Sequence, residues 1–283
     1  MRVIGNDPAR KKIKGPARAV VVRGGPLGDC VLTLPLVTGL AKRGPVAVLT
    51  REAYFPILEA LPFAVDLHSL DSAGASTLFS PKPGAGWEAV FENARVYDFL
   101  PRGNGKFADN LQELGAHGHV ALESRPARPP HIVEQVQAMG GLPCPAGLLR
   151  TSLLGHLRKG RGTHAWIHPG SGSPAKNTSM EQLRELYEAR TDKPPILASF
   201  GEADLELEPA FRKAFAGTDY ETLKPASIAE LMAGLATRAA FFLGNDSGPG
   251  HLAAALGVPT QIVFQSTDPD IWRPVGAEVT VCG

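Results

Sequence analysis

The sequence predicts an α/β protein of two open parallel sheets with helices on their faces. Three observations predict it. Short β-branched runs without polar alternation, the first at residues 17–23 (ARAVVVR), read as strands buried on both faces. Helical patterns follow these runs, so that strand and helix alternate. A basic, glycine-containing stretch at 155–163 (GHLRKGRGT) separates a first series from a second, and 283 residues suffice for two domains with their own cores.

In the first series the strand 17–23 runs into the glycine turn 24–28 and then into a helix over 29–42. Strand 46–50 leads to helix 52–60, strand 96–100 to helix 106–114, and strand 119–122 to helix 130–139. Residues 69–86 are rich in Ser, Gly and Pro and read as a long loop. The second series holds strands at 165–168, 195–200, 239–243 and 260–264, with helices at 179–190, 204–215, 228–237 and 249–256. The expected domains are 1–155, with a basic tail at 1–16, and 156–283. A cleft between two such domains is where ligands commonly bind.

Charge and composition exclude several classes. Lys and Arg number 29 against 28 Asp and Glu, a net charge of +1, which argues against a nucleic-acid partner. The 3 cysteines, Cys30, Cys144 and Cys282, show no zinc or CxxC spacing and fit a reducing, cytoplasmic setting. No apolar run approaches the ~18 residues that span a bilayer, and the first residues lack the apolar stretch of a signal peptide. The N-terminal segment carries Arg2, Arg10, Lys11, Lys12, Lys14 and Arg18 against Asp7. It reads as a solvated tail, or as a peripheral contact with an anionic membrane surface.

Three stretches carry chemistry. In 241–259 (FFLGNDSGPGHLAAALGVP) a strand ends, Asn245 to Gly248 make a turn, and Pro249 opens a helix. Free N–H groups at that helix start suit a phosphate, with Ser247 and His251 as side-chain donors, although Asp and Ser are also ordinary helix caps. In 167–176 (IHPGSGSPAK), Ser171, Ser173 and Lys176 can surround a diphosphate, though the composition is equally that of a plain loop. Two anion-friendly loops at strand ends of one domain point to a nucleoside diphosphate. The third stretch, 23–29 (RGGPLGD), sets Asp29 at a helix start, where the dipole favours the carboxylate and a proton can be accepted. A structural cap is the competing reading there. Neither GxGxxG nor a Walker A sequence is present.

Together these motifs resemble glycosyltransferase family 9, the ADP-heptose:lipopolysaccharide heptosyltransferases. The resemblance rests on 26–58 (PLGDCVLTLPLVTGLAKRGPVAVLTREAYFPIL), 167–177 (IHPGSGSPAKN), 199–206 (SFGEADLE), 230–260 (ELMAGL followed by FLGNDSGPGHLAAALGVPT), and 266–276 (STDPDIWRPVG). Residues 69–149 carry no family motif. Membership implies a GT-B fold, two Rossmann-like domains facing each other across a cleft. It also implies an inverting transfer without metal or other cofactor, from a nucleotide-diphosphate sugar such as ADP-heptose to a saccharide such as the lipopolysaccharide core. By the same resemblance Asp29 is the general base, Lys176, Asp246, Ser247, Gly248 and His251 contact the donor diphosphate, and Glu202 falls at the donor ribose.

Asp268-Pro269-Asp270 spells DxD, but the family's TDP at this place makes it a proline turn rather than a metal site. His117, His119, His164 and His168 read as ordinary surface histidines. Thr178-Ser179 stand where many members have an aromatic residue, and members usually continue with a further helix beyond the point where this sequence stops, Gly283. Two other functions share these features: a nucleotide-sugar-binding relative without catalysis, which would not need Asp29, and a GT-B-fold nucleotide-sugar epimerase, which would turn over donor alone.

Overall fold

The computed structural model describes residues 18–101 and 105–282; the basic tail at 1–16 lies outside them. The chain gathers into two compact units, one running to Gly24 and continuing over Val37–Ser124, the other made of Gly25–Leu36 and Arg125–Gly283.

The first unit holds a parallel sheet of β1 (Ala19–Arg23), β2 (Val46–Thr50), β3 (Asp66–Ser69), β4 (Arg95–Asp98) and β5 (Gly118–Ala121), in the order β3-β2-β1-β4-β5. The three inner strands are the apolar runs the sequence shows: β1 and β2 are buried at every position. Val20, Val22, Leu49, Val96, Phe91, Phe107 and Leu111 close the core on one face. The helix α1 (Leu27–Ala41) begins two residues before its expected start and is shared between the units. Pro35 lies inside it and removes one backbone donor. Within the second unit, Gln137 Nε2 donates to the Pro35 carbonyl at 3.2 Å and holds this stretch of helix in place.

The second unit holds β6 (His164–His168), β7 (Ile196–Ser199), β8 (Tyr220–Leu223), β9 (Ala239–Asn245), β10 (Thr260–Val263) and β11 (Val279–Cys282), all parallel, in the order β11-β10-β9-β6-β7-β8. Its core joins Ile167, Leu183, Ile196, Phe241 and Leu243 to Phe211 and Phe215, whose rings stack at 4.2 Å. Parallel strands put all their C-terminal ends on one edge, and the loops after β6, β7, β9 and β10 therefore emerge together.

Three strands differ from the sequence expectation. β3 (DLHS), β8 (YETL) and β11 (VTVC) are outermost strands with half-exposed faces, so they lack the continuous apolar run of a doubly covered strand. The loop expected at 69–86 includes a helical turn, Ala73–Ser76, capped by Ser72, whose Oγ accepts from Ala75 N–H. The helix expected at 204–215 is a 3-10 segment, Glu202–Leu207, followed by an α-helix, Glu208–Ala214.

Candidate functional site

The strand β9 is the spine of the site. It is buried at all seven positions and ends in Asn245, and Asp246 follows. Asn245 Nδ2 donates to the Pro169 carbonyl at 2.7 Å, and its Oδ1 accepts from Thr178 N–H at 2.9 Å. One fully buried amide thus ties both ends of the loop 169–178 to the end of β9. The sequence reading named Asn245 only as part of a turn; the signal was its place in NDSG.

Asp246 gathers three partners. Its Oδ2 accepts from Lys176 Nζ at 2.6 Å and from Thr267 Oγ1 at 2.7 Å, while His251 Nε2 lies 3.4 Å from Oδ1. Burial alone would raise the pKa of this carboxyl. Hydrogen bonding and charge from His251, with the bonds from Lys176 and Thr267, outweigh that and hold it well below the usual carboxylate range. Asp246 is therefore a fixed anion at neutral pH, and Lys176 is held over it. The side chain of Lys176 is 30% exposed, so the ammonium also faces solvent. The structure thus brings Lys176, Asp246 and His251 together. It adds Thr267, from the STDP stretch, which the sequence reading did not name as a site residue.

Ser247 is the N-cap of the helix Gly248–Ala255, its Oγ accepting from Gly250 N–H at 3.4 Å, with Pro249 in the first turn. As an acceptor there it keeps its own proton available for a ligand. Gly248 permits a close approach: a Cβ at this position would lie 2.7 Å from Leu27 Cβ. A Cβ on Gly28 would lie 3.0 Å from His251 Cδ2. The first turn of α1, which carries the half-buried Asp29, therefore packs directly on the start of the Gly248–Ala255 helix, Leu27 against Gly248 and Gly28 against the His251 ring, within one compact unit.

In the glycine loop, Ser171 Oγ lies 2.6 Å from Ser173 O and 2.7 Å from Asn177 Oδ1, and accepts from Ser173 N–H at 3.3 Å. Its single proton is spent on shaping the loop. Ser173 and Lys176 remain at the loop's surface, with Lys176 ending the 3-10 turn Pro174–Lys176. Thr178 and Ser179 act in helix initiation. Ser179 Oγ caps Met180–Glu188 through Gln182 N–H, and Thr178 Oγ1 bonds Gln182 Oε1 and accepts from Gln265 Nε2.

Glu202 is exposed at the start of the Glu202–Leu207 segment and is not drawn into the Asp246 cluster. Its neighbour Asp204 makes the inward contacts. Asp204 is buried, its Oδ2 is 3.5 Å from His168 Nε2, and a Cβ on Gly170 would overlap its Oδ1 at 2.0 Å. This corrects the expectation that His168 is a surface residue. It ends β6, an inner strand between β9 and β7, and is 3% exposed, with Nδ1 3.0 Å from Ser199 O. Burial lowers its pKa, against the opposing charge of Asp204 and the bond to Ser199. His119 is likewise paired, with the buried Asp98, and His164 lies 3.5 Å from Glu221.

Asp268 Oδ1 accepts from Asp270 N–H at 2.9 Å and caps the turn Pro269–Trp272, the proline turn expected of this DxD. Among the described residues no three His, Cys, Asp or Glu side chains gather as a metal site, and no helix is long and apolar enough to cross a membrane.

Comparison with known proteins gives this geometry a context. Residues 156–283 match the family model of glycosyltransferase family 9 (heptosyltransferase). No curated protein sequence matches the chain. Among solved structures, the Escherichia coli heptosyltransferase WaaC with ADP is similar at a TM-score of 0.67 and 21% identity, over 94% of this chain and 92% of that one. A family 9 glycosyl transferase from Veillonella parvula DSM 2008 is similar at 0.68 and 16%, over 94% and 85%. The E. coli ADP-heptose lps heptosyltransferase II is similar at 0.59 and 15%, over 94% and 90%. At these identities the likeness carries the fold, and the α/β class of two parallel sheets expected from the sequence is the one found. The glycine loop, the Asp246 cluster and the capped helix all fall inside the segment, residues 156–283, that matches the model of this family.

Proposed function

We propose that the chain is an inverting, metal-independent glycosyltransferase that moves a heptose from ADP-heptose, or a sugar from a related nucleotide diphosphate, to a hydroxyl of a saccharide acceptor of the lipopolysaccharide-core type. One observation carries the reading: the turn bearing Asp29 packs through Leu27 and Gly28 against Gly248 and His251. A base and an anion-binding helix start are thereby adjacent, as a single displacement requires.

In this reading residues 156–283 bind the donor and 1–155 serve the acceptor. Lys176 and the N–H groups at the start of Gly248–Ala255 hold the diphosphate, joined by Ser173, Ser247 and His251, while Ser171 shapes the loop that carries them, and Glu202 meets the ribose. Asp246 holds Lys176 in place. Asp29 takes the proton of the acceptor hydroxyl as that oxygen bonds to the anomeric carbon. The bond from carbon to the diphosphate oxygen breaks, and its electron pair leaves with the nucleoside diphosphate. Attack from the face opposite the leaving group inverts the anomeric centre. Cys30, Cys144 and Cys282 are not joined in disulfides, which supports a cytoplasmic setting, with the basic tail as a peripheral contact at the inner membrane.

The test is a titration of ADP, UDP, GDP and dTDP in EDTA, followed by transfer assays with the matching sugar and Asp29→Asn as control. Selective nucleotide binding, with transfer lost and binding kept in the variant, is the expected result. Retained turnover by the variant removes Asp29 as base. Binding without transfer points to a non-catalytic relative, and conversion of donor alone points to an epimerase.

A further inference from the structure

Two concavities of the second unit lie far from the loops described above. These cavities, of about 550 and 580 Å³, share Arg190, Phe241, Pro259 and Glu278 and so form one trough. Its floor is the N-terminal edge of the sheet, at Ala240 and Phe241 of β9, Thr260 of β10 and Val279 of β11. The Asp246 cluster sits at the other end of β9, roughly 20 Å away at the rise of a strand.

Arginine dominates the lining. Arg158 and Arg161 stand on one side, Arg150 and Arg273 on the other, and Arg190 between them, against the single carboxylate of Glu278. Arg161 is paired with Asp192, outside the lining, and Arg158 spends its donors on the carbonyls of Gly160, Ala239 and Gly257. Arg190 and Arg273 are different. The Arg190 guanidinium lies 3.7 Å over the Phe241 ring, which fixes its plane. The Nε atoms of both are buried with no hydrogen-bond partner. A buried donor left without an acceptor is costly, and proteins seldom keep one without a use. Two on one trough, with an excess of positive charge, call for an oxygen anion.

We propose that this trough is a second anion site, distinct from the donor site, that takes a phosphate group, free or as a phosphomonoester headgroup, between Arg190 and Arg273. The planar guanidinium forks suit phosphate oxygens, and the stacking of Arg190 on Phe241 pre-organises one of them. The site does not depend on the transferase reading.

Inorganic phosphate is the probe, titrated against the whole chain by calorimetry and by thermal shift. Lys176→Ala removes the donor-site contribution, so phosphate binding that survives in it reports the trough. Arg190→Gln with Arg273→Gln in that background should abolish the remaining binding. Arg190→Lys keeps the charge but not the fork, and should weaken binding at least five-fold. Vesicles containing a tenth phosphatidic acid, compared with phosphatidylcholine alone, separate a headgroup from a free ion: co-sedimentation that falls in the Arg190→Lys protein assigns the headgroup. Loss of all phosphate binding in Lys176→Ala, or binding unchanged by the arginine substitutions, overturns the proposal. Should the double variant fail to fold, Arg190→Lys alone decides.

Discussion

Replacing Asp246 by Asn tests the centre of the site without changing its shape. The carboxylate is 4% exposed and receives Lys176 at 2.6 Å, Thr267 at 2.7 Å and His251 at 3.4 Å. An amide keeps one acceptor oxygen, so one of the two short bonds survives as a neutral one. The other donor then faces an NH2 group. Charge-assisted bonds contribute about 1.5–3 kcal/mol each, and loss of one partner of a buried pair costs about 3–5 kcal/mol. The exposure of Lys176 reduces this. A loss of about 2–4 kcal/mol is expected at pH 7.

The pH dependence fixes the sign. Because folding depresses the carboxyl's pKa, its stabilisation is complete above the unfolded value near ~3.9 and is lost as pH falls through the folded one. The gap between wild type and Asp246→Asn should therefore be constant from pH 8 to 5 and shrink below about pH 4. Urea unfolding followed by the fluorescence of the buried Trp166 in the same sheet measures it. Equal stabilities at pH 7, or a gap as wide at pH 3 as at pH 7, would refute the picture of a paired, ionised Asp246.

Other predictions concern single contacts. Lys176→Ala should weaken ADP binding by about 1.5–3 kcal/mol, roughly ten- to a hundred-fold, and an unchanged affinity in calorimetry would mean that the ammonium serves only Asp246. Gly170→Ala puts a Cβ 2.0 Å from the buried Asp204 carboxylate and should cost about 1–3 kcal/mol in urea unfolding; a neutral effect would show that Asp204 and His168 are free to move. Excess EDTA should leave the transfer rate unchanged, and a loss of activity restored by a divalent cation would reopen the role of Asp268 and Asp270.

How much of this was legible in the sequence depends on what each residue meets. Inner strands such as β1 and β9 bury both faces, and their unbroken apolar runs announce them. The outermost β3, β8 and β11 bury less, so their composition says little and only the register with a neighbouring strand reveals them. The loops were legible for a related reason. Glycine, proline and a capping Ser around Asp246 are turn chemistry that acts over a few residues, and local chemistry is what a sequence displays. What joins those loops acts over tens of residues. Thr267 reaches Asp246 across 21 positions, Asn245 reaches Pro169 across 76, and neither pairing leaves a periodic trace.

His168 shows the limit most sharply. Spacing alone makes a histidine at a strand end a surface residue, because a buried imidazole needs partners that the local sequence does not contain. The partners arrive from Ser199 and Asp204, 31 and 36 residues on, once β7 has paired with β6. The same pairing sets the Asp204 carboxylate against Gly170, where it leaves no room for a side chain. Glu202 and Asp204 are two residues apart in one acidic stretch, yet one faces solvent and the other fixes the neighbouring loop. The family motif draws attention to the glutamate, whereas the packing makes the aspartate the residue on which the loop geometry depends.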